Sequence, residues 1–128
     1  MTAITRAERV TGALRGQFLG DALALGTHWI YNLRERARRF PGEIEGFEPP
    51  APDHYHRGRE PGDGTHYADA AEALLVSVAE CGGLDARDYG RRLVEVYGAP
   101  DYRGFLDKPT RILLEREREW RRARPDAP

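Results

Sequence analysis

The spacing of apolar residues is the feature that most constrains the fold of this chain. Apolar side chains recur every three or four residues, and no segment alternates apolar and polar residues as a β-strand does. This spacing gathers the apolar side chains on one face of an α-helix. The longest interruption is residues 41–64, which are rich in Pro, Gly and His. Loops of this length are typically functional or disordered. We therefore predict an all-α protein with one long connection.

Cap residues divide the helical pattern into five segments. Thr5, Asn32 and Asp85 each stand immediately before a periodic run, and their side chains can accept hydrogen bonds from the amides of a first helical turn. Gly and Pro residues mark the helix ends. The predicted helices run from about Arg6 to Leu25, from Asn32 to Pro41, from Thr65 to Cys81, from Asp85 to Gly98, and from Pro109 onwards.

The first predicted helix carries an acid within its apolar face. Asp21 falls among apolar residues, where a carboxylate is costly unless it is hydrogen-bonded. It either lines a cleft or is a buried acid that accepts backbone N–H bonds and fixes the turn at residues 26–28. Glycines repeat at every fourth position along the neighbouring edge, which predicts close approach of another backbone. The predicted apolar face is Val10, Ala13, Leu14, Phe18 and Leu25; the glycines are Gly12, Gly16 and Gly20.

Composition narrows the possible partners and locations. The net charge is −1, which gives no electrostatic case for binding nucleic acid or an anionic membrane. Cys81 is the sole cysteine, so no disulfide forms within the chain, and we predict that it is a small buried residue. The start of the chain lacks the apolar core of a signal peptide, and no apolar run is long enough to span a membrane. We expect a soluble, cytoplasmic protein.

Histidine and acidic residues suggest one candidate metal site. His66 and Asp69 lie three residues apart, so they share one face of the third helix. Asp53, His54 and His56 in the long connection could supply further ligands to a transition metal. Loop histidines are more often simply exposed.

Aromatic and turn residues also allow two interpretations each. Trp29, Tyr31 and Tyr67 could stack on an adenine ring, although aromatic residues at such positions more often belong to a core. Asp63 and Asp107 stand beside Gly or Pro and are first predicted to be turn residues.

Three segments together resemble a known family. They read GQFLGDALALGTHWIYN (16–32), GDGTHYADAAEALL (62–75) and YRGFLDKPTR (102–111). Their order and spacing resemble the ADP-ribosylglycohydrolase superfamily, and within it the subgroup that includes the J-type eye-lens crystallins. The resemblance covers most of residues 8–112. It implies an orthogonal all-α helical bundle around a central cleft. There, catalytic members hold two Mg²⁺ ions and cleave the bond joining ADP-ribose to a protein side chain or another acceptor.

The resemblance also assigns roles to individual residues. Family members carry Thr-Asp-Asp at the start of a helix after the long loop. Thr65 matches that threonine, whereas His66 and Tyr67 replace the two aspartates, and Asp69 is the nearest remaining acid. The resemblance thus implies Thr65 and Asp69 as metal ligands, and Asp69 with Asp21 behind it as catalytic acids. It implies His66, Tyr67 and Trp29 as residues that bind the ADP-ribosylated substrate or ADP-ribose.

A second family motif, Asp-x-Asp-Thr, has no counterpart in this sequence. After Arg111 the chain reads ILLEREREWRRARPDAP, and residues 115–128 form a charged tail without an apolar stripe. We therefore expect residues 1–128 to be one partial, truncated domain without a tight Mg²⁺ site, inactive as a hydrolase and prone to self-association through bare core surface. The alternatives are a non-enzymatic crystallin-like or ADP-ribose-binding module, and a truncated gene product without independent function.

Overall fold

A computed structural model describes residues 3–124, and every regular element in that range is helical. This confirms the all-α prediction. Residues 125–128 of the predicted charged tail lie outside the described residues. The elements are α1 (Arg6–Ala24), a 3₁₀ turn (Leu25–Thr27), α2 (Leu33–Arg39), α3 (His66–Cys81), α4 (Ala86–Gly98) and α5 (Lys108–Ala123).

The helix starts lie where the cap residues predict them. The Thr5 hydroxyl accepts the Glu8 amide at 3.2 Å, and the Glu8 carboxylate accepts the Thr5 amide at 2.8 Å, which completes a capping box. The side chains of Asn32 and Asp85 accept amides in the first turns of α2 and α4. Asp107, predicted to be a turn residue, is the N-cap of α5, and its carboxylate accepts the Thr110 amide at 2.9 Å.

The chain divides into two compact units at the Ala68–Asp69 bond. The first unit holds α1, α2, the long connection and the start of α3. The second holds the rest of α3 with α4 and α5. No helix in residues 3–124 combines the length and the apolar character needed to cross a membrane.

Burial along α1 increases towards its carboxyl-terminal end. Val10 is 51 % exposed and Ala13 is also exposed, whereas Leu14 and Phe18 are half-buried and Ala22 and the following Leu25 are buried. The predicted apolar face is therefore wrong at Val10 and Ala13. The predicted close backbone approach at the glycine stripe is also wrong, because a Cβ added at any of its three positions would meet no atom within 4 Å.

The spacing of apolar residues predicts that the inner face of α3 consists of Ala68, Ala71, Leu75, Val78 and Ala79. Ala68 is buried, but Leu75 and Val78 are each 37 % exposed, and Ala73 and Ser77 are buried instead. The helix is apolar at most positions, so spacing alone does not decide which side packs. Small residues occupy the packed side.

The second unit rests on the packing of α4 against α5. Tyr97 of α4 and Leu114 of α5 are its buried large side chains. Arg92 pairs with Asp88 at 2.6 Å and also with Glu80 of α3. Cys81, predicted to be buried, is exposed, because the chain turns away directly after it at Gly82, which has a φ of +71°.

Candidate functional site

Asp21 and Thr65 form the junction between the end of α1 and the start of α3. The Thr65 amide donates to Asp21 Oδ2 at 2.5 Å, and the Thr65 hydroxyl donates to Asp21 Oδ1 at 2.8 Å. The same hydroxyl accepts the Tyr67 amide at 3.2 Å, so Thr65 also caps α3. Asp21 is thus a hydrogen-bonded acid, as predicted, but its partner is Thr65 rather than the turn at residues 26–28.

Gly64 allows this junction to form. A Cβ at Gly64 would lie 2.4 Å from the Cβ of Ala68 and 3.2 Å from Asp21 Oδ2. Any side chain there would displace the start of α3 from the carboxylate of Asp21. Glycine at position 64 is therefore required by the first turn of α3 and by the close approach of Asp21.

All four histidines of the chain lie in one aromatic cluster beside this junction. His56 is fully buried, His66 is 2 % exposed and His54 is 6 % exposed. The His56 ring centroid lies 5.3 Å from that of His28, 5.4 Å from that of His66 and 5.6 Å from that of His54. Trp29 packs against the same rings, 5.8 Å from His56 and 5.5 Å from His66. We call His28, His54, His56 and His66 the histidine cluster.

Hydrogen bonds fix the tautomer of His54. Its Nδ1 accepts the His56 amide at 3.1 Å, so the ring proton is on Nε2. Nε2 in turn donates to the backbone carbonyl of His28 at 2.6 Å. A neutral imidazole thus joins the long connection to the segment that follows α1.

Burial keeps two further histidines neutral. Desolvation, followed by the neighbouring histidines and Arg59, lowers the pKa of His56 to about 3. Desolvation also lowers the pKa of His28, although the charge of Asp21 opposes that shift.

Trp29 adopts a strained backbone conformation. Its φ of +61° is the only positive value among the non-glycine residues that the structure describes, and this region costs a bulky residue of the order of 1–2 kcal/mol. The ring contacts with His56 and His66 hold the residue there. Trp29 also lines a cavity of about 350 Å³ whose wall includes Tyr31, Tyr55 and Arg39, which is at the lower end of the range for small-molecule sites.

The predicted substrate-binding aromatics differ in exposure. Tyr67 is 51 % exposed, and its ring centroid lies 4.0 Å from that of the buried His66. Tyr31 is 82 % exposed, which excludes the core interpretation for that residue. About half of the Tyr67 side chain is therefore accessible to a ligand at the start of α3, and the buried His66 ring packs against it.

Asp69 has a partner within the second unit. Its carboxylate accepts the hydroxyl of Tyr102 at 2.6 Å, and the Tyr102 ring packs edge-on against Tyr97 at 5.4 Å. Sequence analysis did not identify Tyr102, although it begins the YRGFLDKPTR segment. Its separation of 33 residues from Asp69 leaves no local signal for the pair.

Comparison with known proteins gives one match. A model of the ADP-ribosylglycohydrolase family matches residues 2–127. The chain belongs to the ADP-ribosylglycohydrolase family. No curated protein and no solved structure matches it.

The residues after Thr65 in this family member do not fit the magnesium pair that the family resemblance implies, because His66 and Tyr67 stand where the family carries two aspartates. The Thr65 hydroxyl is bonded to Asp21, and the Asp69 carboxylate is bonded to Tyr102. Across residues 3–124, no group of three or more His, Cys, Asp or Glu side chains has the arrangement of a metal site.

The sequence also suggested a transition-metal site. Such a site requires the carboxylates of Asp53 and Asp69 to lie beside the histidines. The structure gathers the histidines but pairs Asp53 with Arg39 at 3.0 Å. Arg39 accordingly lowers the pKa of the Asp53 carboxyl.

Proposed function

We propose that this member of the ADP-ribosylglycohydrolase family recognises ADP-ribosyl groups but that its 128 residues do not hydrolyse the glycosidic bond. The observation that carries the proposal is the start of α3, where Thr65 is followed by the packed rings of His66 and Tyr67 rather than by two carboxylates. We further propose that this departure places the chain with the crystallin-like subgroup.

The chemistry of the side chains supports the loss of hydrolysis. Mg²⁺ binds hard oxygen ligands in near-octahedral geometry. An imidazole and a phenol in place of two carboxylates remove the charge that would compensate two divalent ions. The remaining family positions, Thr65 and Asp69, hold hydrogen bonds of their own. In family members the metal pair would orient the ribose and activate water.

The exposed aromatic surface supports retained binding of ADP-ribose. Tyr67 offers a half-exposed ring at the start of α3, and Trp29 lines the cavity of about 350 Å³. Stacking on an aromatic ring needs no metal and contributes about 0.5–1.5 kcal/mol beyond the buried area. Binding can therefore persist where hydrolysis does not.

Isothermal titration of the purified chain with ADP-ribose tests this proposal. We expect binding whose Kd changes less than twofold when Mg²⁺ is replaced by EDTA, because no metal takes part. Tyr67→Ala should weaken binding by about tenfold through the lost ring contact. Phe47→Ala, which removes an exposed ring of the first unit that does not line the cavity beside Trp29, is the matched control for Tyr67→Ala. Absence of binding in either condition would reject ADP-ribose recognition and favour a crystallin-like structural role or a gene product without independent function.

We propose two further properties of this chain, its location and its self-association. We propose a cytoplasmic location, which is consistent with a single cysteine in the chain. We also expect self-association through exposed apolar residues such as Val10, Leu33 and Leu84, which are 51 %, 74 % and 76 % exposed.

A further inference from the structure

The part of the long connection that carries two of the clustered histidines is a short series of turns. We call residues 51–59 the strap. Backbone hydrogen bonds link the His54 amide to Ala51, the Arg57 amide to His54 and the Arg59 amide to His56, at 2.9–3.1 Å. No helix or strand includes these residues. The strap therefore depends on side-chain contacts to keep its place on the first unit.

Neutral histidines provide the main buried contacts of the strap. His54 donates to the His28 carbonyl, and the fully buried His56 ring packs among the rings of His28, Trp29 and His66. Asp53 adds an ion pair with Arg39, but Asp53 is largely exposed, and such pairs contribute little. Protonated imidazoles 5–6 Å apart would repel one another in a site with little water.

The charged and titratable groups facing His56 do not compensate a proton there. Cations and histidines dominate its surroundings, and the carboxylate of Asp21 acts on His28. The facing groups are His28 from the segment after α1, His66 from α3, and His54 and Arg59 from the strap itself.

We propose that residues 51–59 are an acid-released strap: proton uptake by the buried His56 ring detaches the strap and uncovers the rings of His28 and His66. This inference does not depend on ADP-ribose binding. It concerns the chain alone, so its failure would leave the proposed function untouched.

The direction of the pH effect follows from the two states of the strap. In the attached state the pKa of His56 is about 3, whereas in the released state it returns to the ordinary value near 6.5. The released state therefore binds more protons below pH 6.5, and release becomes more favourable as the pH falls from 6.5 towards 3. For His56 alone, the equilibrium constant for release rises about thirtyfold between pH 7.5 and pH 5.

Hydrogen exchange of the strap amides tests the proposal. Protection factors are measured at pH 7.5 and pH 5 for the amides of His54, His56, Arg57 and Arg59, with intrinsic exchange rates divided out. We expect protection to fall by about thirtyfold in the natural chain, while amides within α4 and α5 change little. His56→Phe keeps a buried ring without a titrating group and should abolish most of the loss. Tyr55→Phe, in the same strap, should retain it.

Two outcomes would overturn the proposal. One is strap protection that stays constant between pH 7.5 and pH 5 in the natural chain, and the other is an equal loss in His56→Phe. A second measurement covers the case in which His56→Phe does not fold. The NMR titration of the His56 ring in the natural chain should show a midpoint well below 6.5, and a midpoint at the ordinary value rejects the strap mechanism.

Discussion

Replacing Asp21 with alanine is expected to lower the free energy of unfolding of the first unit by about 3 kcal/mol. Asp21 accepts both the amide and the hydroxyl of Thr65, and a hydrogen bond to a charged group contributes about 1.5–3 kcal/mol. Without the carboxylate, the buried Thr65 amide is left without its acceptor at the start of α3. Thermal melting followed by the fluorescence of Trp29, in a chain carrying Trp120→Phe, should show a fall in Tm of about 10 °C.

Asp53→Ala is the matched control for this substitution. Asp53 is an acid of the same unit that also holds a partner, but its side chain is 72 % exposed and its ion pair with Arg39 lies at the surface. Its removal should leave the melting curve nearly unchanged. Equal effects of the two substitutions would show that Asp21 does not anchor α3.

Replacing Gly26 with alanine should be about as damaging, through steric conflict instead of a lost hydrogen bond. A Cβ at Gly26 would lie 2.7 Å from the backbone oxygen of Glu48 and 2.8 Å from its Cβ. Backbone atoms cannot rotate away, so the long connection must shift from the 3₁₀ turn. Overpacking of this kind typically costs 1–3 kcal/mol, and we expect a value of about 3 kcal/mol by denaturant titration.

Gly16→Ala makes the same chemical change where space is open. A Cβ at Gly16 meets nothing within 4 Å, and alanine is favoured over glycine inside a helix by about 1 kcal/mol. This substitution should therefore stabilise α1. Opposite signs for the two glycines would support the described packing, whereas destabilisation at Gly16 would mean that another surface covers the stripe.

Local features could be predicted from the sequence because their partners are close in the chain. The caps at Thr5, Asn32 and Asp85 each act on amides two or three residues away, and the structure places the helices accordingly. The resemblance of three ordered segments to the family is confirmed by the match over residues 2–127. The apolar periodicity and the cap residues were thus sufficient to predict the all-α fold class.

The candidate site depends on long-range contacts that no spacing encodes. Asp21 could be predicted to need a hydrogen-bond donor, but that donor, Thr65, lies 44 residues away. The candidate metal site of the sequence analysis already grouped His54 and His56 with His66, but no sequence signal placed His28 beside them, since only the path of the long connection brings these rings together. The predicted buried faces of α1 and α3 were partly wrong for a related reason, because packing partners distant in sequence decide which apolar side chains of a helix are covered.

The start of α3 links the family assignment to the proposed loss of chemistry. Thr65 matches the threonine of the family motif, and both its amide and its hydroxyl donate to Asp21. His66 and Tyr67 occupy the positions of the carboxylates and join an aromatic cluster instead. A side-chain set suited to packing has replaced one suited to binding Mg²⁺.

The most direct test of this account is the release of ADP-ribose from ADP-ribosylated protein by the purified 128-residue chain, measured with Mg²⁺ and with EDTA. The account predicts no release above the enzyme-free blank in either condition. Release that requires Mg²⁺ and disappears with the chelator would show that the start of α3 still holds a working metal centre, and would contradict the account.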